Sequence, residues 1–468
     1  MIPLTLAEVA AATGGVLHDA PDAAAVVAGP VVIDSREAEP GALFVAIKGE
    51  RTDGHEHARN AVRSGATAVL AARPLGVPAV VVPDPVVALG SLARAVRDRL
   101  TGLSVCAITG SSGKTTTKDL LAAVLETAGP TVATPGSYNN ELGLPLTVLA
   151  ADETTRNLVV EMGARGPGHL TYLCGIAPPQ VAVVLNVGAA HVGEFGDLEA
   201  TAAAKQELVQ ALSPDGVAVL NADDPLVAAM AQAAPGRVVR FGRSSSSDVS
   251  AIDIVLDAQG RASFTLVTPT GTIPVQLALH GAHHVPNCLA VASVALEVGV
   301  PLADIASSLR AATPRSRWRM EVVERDDGVT VVNDAYNANP DSVRAALEAV
   351  AAMSKGRRSW AVLGEMRELG AASADQHAAV GRLAVHLGVD RVVAVGDGAR
   401  GISDAAKETP VARTTNLGEE PVFVSDADEA LALLRAQVRP GDVVLVKASR
   451  AAGLERVAQG LLEAVASG

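Results

Sequence analysis

Short apolar runs alternate with amphipathic stretches along nearly the whole chain, and the alternation falls into three blocks. The first, ending near residue 103, carries strand-like runs in PVVIDSR, GALFVAIKG, ATAVLAA and AVVVPD, with helical stretches between them. The second opens with the run SVCAIT at 104–109, then a Gly-Ser turn and the helical stretch KTTTKDLLAAVLETAG. There Leu120, Leu121, Val124 and Leu125 share one face, and Gly129-Pro130 supplies the stop. The runs in NLVVEMG, QVAVVLNVG and GVAVLNADD are almost unbroken Val and Leu, as parallel strands covered on both faces require. The alternating stretch ASFTLVTPTGTIPVQLALHG predicts a small β insert ahead of a helix starting near Pro286. From about residue 315 strand and helix repeat to the end, VTVVNDAY through GLERVAQGLLEAV, which predicts a doubly wound, Rossmann-like α/β unit. The expectation is an α/β protein of three domains, 1–103, 104–314 and 315–468, the middle one a parallel sheet carrying a phosphate loop.

Composition narrows the class. With 49% hydrophobic and 19% charged residues in 468, the chain is globular and too long for one core. A net charge of −13 argues against nucleic acid and anionic membranes as partners, though not against small anionic substrates in a local cationic pocket. Cys106, Cys174 and Cys288 form no CxxC pair, and the first residues lack a signal-peptide pattern, so a reducing cytoplasm is expected. Residues 166–193 hold no ionised side chain except His169 and His191 when protonated, but Pro167, Pro178 and Pro179 interrupt them, which predicts a buried region near a site instead of a membrane helix. Only seven of the 38 basic residues are Lys, which favours chemistry that Arg cannot perform where a Lys is kept.

The chemistry starts at Ala107–Asp119, AITGSSGKTTTKD. A phosphate loop normally has four residues between its first Gly and the Gly-Lys-Ser/Thr; here only Ser111 and Ser112 separate Gly110 from Gly113. Backbone N–H groups from Gly110 to Thr115, including Thr116 behind them, would still ring a phosphate at a helix N-terminus. Lys114 would reach the β and γ phosphates, and the Thr115 hydroxyl would take Mg2+. Glu161 and His191 follow the strands expected on either side of the loop; each alone reads more readily as a structural residue, and the phosphate loop beside them turns the reading to metal ligands. Lys205, in LEATAAAKQELVQAL, reads by itself as a solvated helix lysine paired with Glu199 or Glu207. In HGAHHVPNCLA, Asn287 can pair with the adenine edge through one donor and one acceptor. LNADD lacks the Lys of a guanine-reading motif, and no GxGxxG opens the third block; Asp334, Glu365, Asp397 and Lys447 nevertheless sit beyond its strand ends, where such sheets bind ligands.

These motifs together resemble the Mur ligase superfamily, ATP-dependent amide-forming enzymes of peptidoglycan synthesis. TGSSGKTTT is similar to that family's shortened loop, and SYNNELGLPLTVL, VVEMGARGPGHL, NVGAAHVGEFG, EATAAAKQEL, SRWRMEVV and NDAYNANPDS resemble its further blocks in order. VVIDSREAEPGALFVAIKGERTDGHEH resembles a uridine-binding domain, and VLGEMRELG with VLVKASRAAGLERV looks like the members that add a dipeptide; the DNPR motif of the preceding ligase is missing. The resemblance implies joining of D-alanyl-D-alanine to UDP-N-acetylmuramoyl-tripeptide through an acyl phosphate, by a cytoplasmic monomer using ATP and two Mg2+ ions. It implies that Thr115 and Glu161 hold one metal, and that His191 holds the other with Lys205 carbamylated by CO2. It brings Arg319 and Asp334 onto the nucleotide by domain closure. It makes Asp34, Ser35, Arg36, Lys48, Asn139, Asn140, Tyr336, Asn337, Asn339, Lys447, Ser449 and Arg450 substrate-binding. His284 stands where the family has Asn, so that amide is absent here. A ligase for a different amino acid, or a nucleotide-driven switch that forms no amide, remains an alternative.

Overall fold

The computed structural model describes residues 1–50, 52–188, 197–410 and 420–463. Three sheet-based units follow one another, each α/β, and a two-stranded ribbon of Leu4–Thr5 with Val26–Val27 sits beside the first. The first unit is a five-stranded sheet in which Ala79–Val81, Ala68–Ala71, Leu43–Val45 and Val31–Val32 run parallel and Val16–His18 pairs antiparallel at one edge. Its last helix, Pro85–Arg99, starts on an Asp84 cap with Pro at the first turn, and it faces two ways. Leu89, Leu92, Ala93 and Val96 share one core with Leu4 and Leu6 and also with Leu144, Leu170 and Leu173 of the second unit. Gly90 permits that approach, since a Cβ there would lie 3.1 Å from Ile176 Cδ1. The apolar core is therefore continuous across the point where the sequence pattern changes.

The central sheet has nine strands, and the expected β insert is not separate from it. Val249–Leu256 pairs parallel with Arg237–Gly242, and Arg261–Thr268 and Gly271–His280 extend the same sheet antiparallel. At its heart, Ser104–Thr109 lies between Asn157–Glu161 and Val181–Val184, all parallel. Side chains alternate across these strands as the pleat demands. Val105, Ala107, Leu158 and Val160 face one core, whereas Cys106, Ile108, Val159 and Val183 face another built with Leu120, Leu121, Val124 and Leu125 of helix Lys114–Leu125. The three cysteines are buried free thiols, and burial pushes each up to about 12.

The third unit is a six-stranded sheet in the order Glu321–Glu324, Thr330–Asp334, Val443–Lys447, Ser359–Gly364, Arg391–Val395, Val422–Val424, parallel except for the first pair. The helices Pro340–Met353, Ser373–His386 and Arg400–Glu408 cover one face, and Ala427–Gln437 with Glu455–Glu463 covers the other. This doubly wound arrangement brings the ends of Thr330–Asp334 and Val443–Lys447 side by side, with Asp334 in register with Lys447. No helix among the described residues is long and apolar enough to cross a membrane.

Candidate active site

The loop after Ser104–Thr109 turns at glycines for identifiable reasons. Gly113 has φ +78°, a left-handed conformation, and a Cβ there would come within 2.7 Å of Asn287 Oδ1. Asn186 braces the turn: its carbonyl accepts from the Ser111 N–H at 3.1 Å and its Oδ1 from the Ser112 N–H at 2.9 Å. Lys114 opens the helix and folds back to donate to the Gly110 carbonyl at 2.6 Å. Burial lowers its pKa, against the opposing pull of Glu161. The result is a rigid ring of N–H groups with an ammonium beside it.

Glu161 ends the neighbouring strand, buried at 1% exposure, and its carboxylate reaches the loop. The Thr115 hydroxyl donates to Oε2 at 2.7 Å, and Asn139 Nδ2 donates to Oε1 at 2.7 Å. Ser137 lies 2.8 Å from Thr115 Oγ1 and accepts from Arg319 of the third unit at 2.7 Å. A hydroxyl and a carboxylate thus converge at the phosphate loop, an oxygen set suited to Mg2+. No group of three His, Cys, Asp or Glu side chains capable of holding a metal exists among the described residues. His191 lies outside the described residues.

The third unit supplies the opposite wall. Trp318 and Met320 have φ of +59° and +48°, conformations that cost non-glycine residues about 1–3 kcal/mol each. They are held by the Glu321 carboxylate on the Trp318 N–H and by Asp334 Oδ1 on the Met320 N–H, both at 3.1 Å. Between them Arg319 stacks on Tyr336, 4.3 Å from the ring centre, and reaches Ser137. Lys447 donates to Asp334 Oδ2 at 2.6 Å and to the Asn337 carbonyl at 2.8 Å. Asp334 therefore first holds the hinge that presents Arg319. Asn339 caps helix Pro340–Met353 and donates to the Ser111 carbonyl at 3.3 Å, closing the seam against the loop.

Together these walls enclose a cleft of about 470 Å³, lined by Ser111, Ser112, Gly113, Lys114, Thr115, Thr116, Asn139, Glu161, Asn287, Arg319, Asp334, Tyr336, Asn337, Asn339 and Lys447. Lys205 is no solvated helix residue. It is 2% exposed in helix Leu198–Gln210, and burial, with Lys114 as a lesser cause, brings its amine down to about 7. The Glu207 carboxylate of the same helix accepts from the Gly168 and Thr171 N–H groups. His283 and His284 also line the cleft, with ring centres 4.1 Å apart. Desolvation lowers His283 to about 4 and His284 well below its ordinary value. Neither ring nitrogen of His284 has a hydrogen-bond partner among the described residues.

Other candidates lie elsewhere. Asp34 caps the short turn Ser35–Glu37 and pairs with Arg36, and the Lys48 backbone forms an isolated antiparallel β-bridge with that of Asp53, all in the first unit. Asn140 accepts from the Leu142 and Gly143 N–H groups, shaping a helix start. Ser449 and Arg450 stand behind the cleft wall, Arg450 stacked on Trp318 at 4.3 Å and paired with Glu455. Asp397 pairs with Arg400 in solvent, and the Glu365 side chain pairs with Arg367. Conversely, Ser137, Asn186 and Glu368 enter the site without having been singled out from the sequence. Ser137 was within sight, two residues before Asn139 in a motif already marked.

Residues 30–97 match the Mur ligase family catalytic domain, 108–295 the Mur ligase middle domain, and 318–450 the Mur ligase glutamate ligase domain. The UDP-N-acetylmuramoyl-tripeptide–D-alanyl-D-alanine ligase of Mycobacterium tuberculosis is 50% identical, over 99% of this chain and 98% of its own. The chain belongs to the Mur ligase family. The Escherichia coli ligase of the same description is 36% identical over 99% of both chains. Among solved structures, MurF from Acinetobacter baumannii superposes with a TM-score of 0.87 at 33% identity, covering 98% of this Mur ligase and 99% of that chain. MurF from Thermotoga maritima in complex with ADP gives 0.78 at 32% identity, covering 93% and 98%.

Proposed function

We propose that this Mur ligase joins D-alanyl-D-alanine to UDP-N-acetylmuramoyl-tripeptide with conversion of ATP to ADP and phosphate, a step of peptidoglycan synthesis. The observation that carries this is the cleft itself. The phosphate loop of one unit and Arg319 of the next close on one space, so that an activated carboxylate and an incoming amine meet under cover. Full-length identity to ligases of that specificity supports the choice of substrates.

The loop N–H groups and Lys114 hold the ATP phosphates and stabilise charge as the tripeptide carboxylate attacks the γ phosphorus. An acyl phosphate forms and ADP leaves. The dipeptide amine then attacks the acyl carbon, and phosphate departs with the C–O bonding electrons. Arg319 faces the transferred phosphoryl group from the third unit. Asn287, Asn139, Tyr336, Asn337 and Asn339 line the path of nucleotide and peptide, and Asp34, Ser35, Arg36 and Lys48 take the uridine diphosphate on the first unit. Thr115 and Glu161 would hold one Mg2+, and His191 with Lys205 a second, these ions supplying charge neutralisation at the phosphates. A buried amine with pKa near 7 is substantially neutral at physiological pH, the form that adds CO2. The N–C bond forms, a proton passes to solvent, and the carbamate shares one negative charge between its two oxygens.

Phosphate release measured across a panel of UDP-muramyl peptides and amino donors tests the proposal. Release that requires UDP-tripeptide and D-alanyl-D-alanine together is expected. Preference for a single amino acid would make it a different ligase of the family, and release indifferent to the amino donor would make it a switch.

A further inference from the structure

A second, smaller cavity of about 20 Å³ lies beside the main cleft and shares Thr116, His284, Arg319 and Met320 with it. One wall is helix Lys114–Leu125 of the second unit, and another is the segment 313–320 that leads into the third. Both walls are fixed. Arg315 pairs with Glu126 through two guanidinium nitrogens, each at 2.7 Å. Met320 is held at φ +48° by the Asp334 carboxylate on its N–H.

Two residues on these walls carry buried polar atoms with no hydrogen bond among the described residues. Arg319 is held at its tip, where a terminal nitrogen donates to Ser137, and on its face, which stacks on Tyr336. Its Nε, also buried, donates to nothing. His284 is 4% exposed, and neither of its ring nitrogens is bonded. The His280 backbone draws weakly on that ring without hydrogen-bond geometry, so it occupies one nitrogen at most. Desolvation keeps the ring neutral, and a neutral imidazole presents one donor and one acceptor. Native proteins meet buried donors and acceptors with protein groups or with ordered water. About 10–15 Å³ suffices for one water, provided that two to four polar groups surround it. Thr116, Asp119 and Ser316 border the same space and carry further polar groups.

We infer that one ordered water binds in this cavity, accepting from Arg319 Nε–H and donating to a His284 ring nitrogen, and that His284 thereby positions Arg319. The inference rests on the ligase reading above for the role of Arg319, which faces the transferred phosphoryl group. A bridging water is nearly as good as a direct hydrogen bond, so it gives the guanidinium a third fixed point besides Ser137 and Tyr336. The imidazole that stands where the family has Asn acts on the arginine of the third unit and not on the nucleobase.

A crystal structure with ADP and Mg2+, at a resolution that shows ordered waters, should place a water about 2.7–3.2 Å from both Arg319 Nε and a His284 ring nitrogen. No water density there, or nucleotide atoms bonded to either residue's nitrogen in its place, would overturn the inference. His284→Phe keeps the bulk of a ring and removes its nitrogens. It should lower kcat for phosphate release dependent on UDP-tripeptide and D-alanyl-D-alanine about tenfold, while KM for ATP changes less than about threefold. In an Arg319→Ala background the same change should cost less than about twofold, because the group that His284 positions is gone. Additive losses, or a raised KM for ATP at unchanged kcat, would overturn the positioning role. His284→Asn or His284→Gln, whose amide oxygens take the places of Nδ1 and Nε2, should recover part of kcat. Should His284→Phe melt below wild type, these two decide, because a role confined to packing predicts that both polar variants are less active than His284→Phe. Wild type that releases no phosphate with both substrates would fail the ligase reading instead, and the water is then judged from the density alone.

Discussion

Burial holds the Lys205 amine near pKa 7. Desolvation at that position favours the uncharged form of the amine. The neutral amine is the form that the proposed carbamylation requires. On the proposed carbamate reading, in which Lys205 holds a metal, Lys205→Ala is expected to lose activity by about 100-fold or more. Short carboxylic acids should restore part of the rate, and depleting bicarbonate should slow the wild type more than Lys205→Glu. Full activity of Lys205→Ala would contradict the carbamate. Lys114 carries a second prediction at this scale. Its ammonium is desolvated and folds onto the loop carbonyl, so Lys114→Ala should leave the melting temperature at or above that of wild type while tripeptide-dependent phosphate release drops by about 1000-fold. Release near the wild-type rate would remove Lys114 from the phosphate site.

Helix His284–Glu297 shows what one element contributes and how it responds to pH. Its first residue is a buried imidazole beside His283, and both are kept neutral by desolvation. In the unfolded chain these rings take protons near pH 6.5; folded, His283 resists until about pH 4 and His284 to lower values. Protons thus bind the unfolded state preferentially in that window, and stability falls as pH falls from 6.5 toward 4. The melting temperature of His284→Asn should decline less over this range than that of wild type, and parallel curves would contradict the assignment. Much at this scale was legible in the sequence. Ser104–Thr109 and Lys114–Leu125 follow directly from apolar period and the Gly-Ser-Lys-Thr order, because local backbone chemistry decides them. The burial of Lys205 was not, because a lysine on a helix carries no local sign of what packs over it. Nor was the positive φ at Trp318, Met320 and Glu368, which contacts distant in sequence impose.

Across the whole molecule, function depends on a seam between units that each fold around their own sheet. Arg319 to Ser137, Asn339 to Ser111 and Arg315 to Glu126, the last at 2.7 Å, tie the third unit to the second. A side chain at Gly188 would meet the Asp341 carboxylate, which would have to turn away to admit it. The repeat of strand and helix made the three units legible, but the pairing of the third with the second was not, since a seam of single polar contacts leaves no periodic trace. Nucleotide and tripeptide should favour this closed arrangement, so scattering with an ATP analogue and UDP-tripeptide should match the radius of the present structure. Arg319→Ala should expand the particle and slow turnover, and an unchanged radius with full activity would leave the seam without its role. The central claim is that the tripeptide carboxylate is activated by ATP in this cleft before an amine arrives. Oxygen-18 placed in that carboxylate and followed by mass spectrometry into the released phosphate tests it directly. One labelled oxygen per amide formed is predicted; unlabelled phosphate, with the amide still made, would contradict the account.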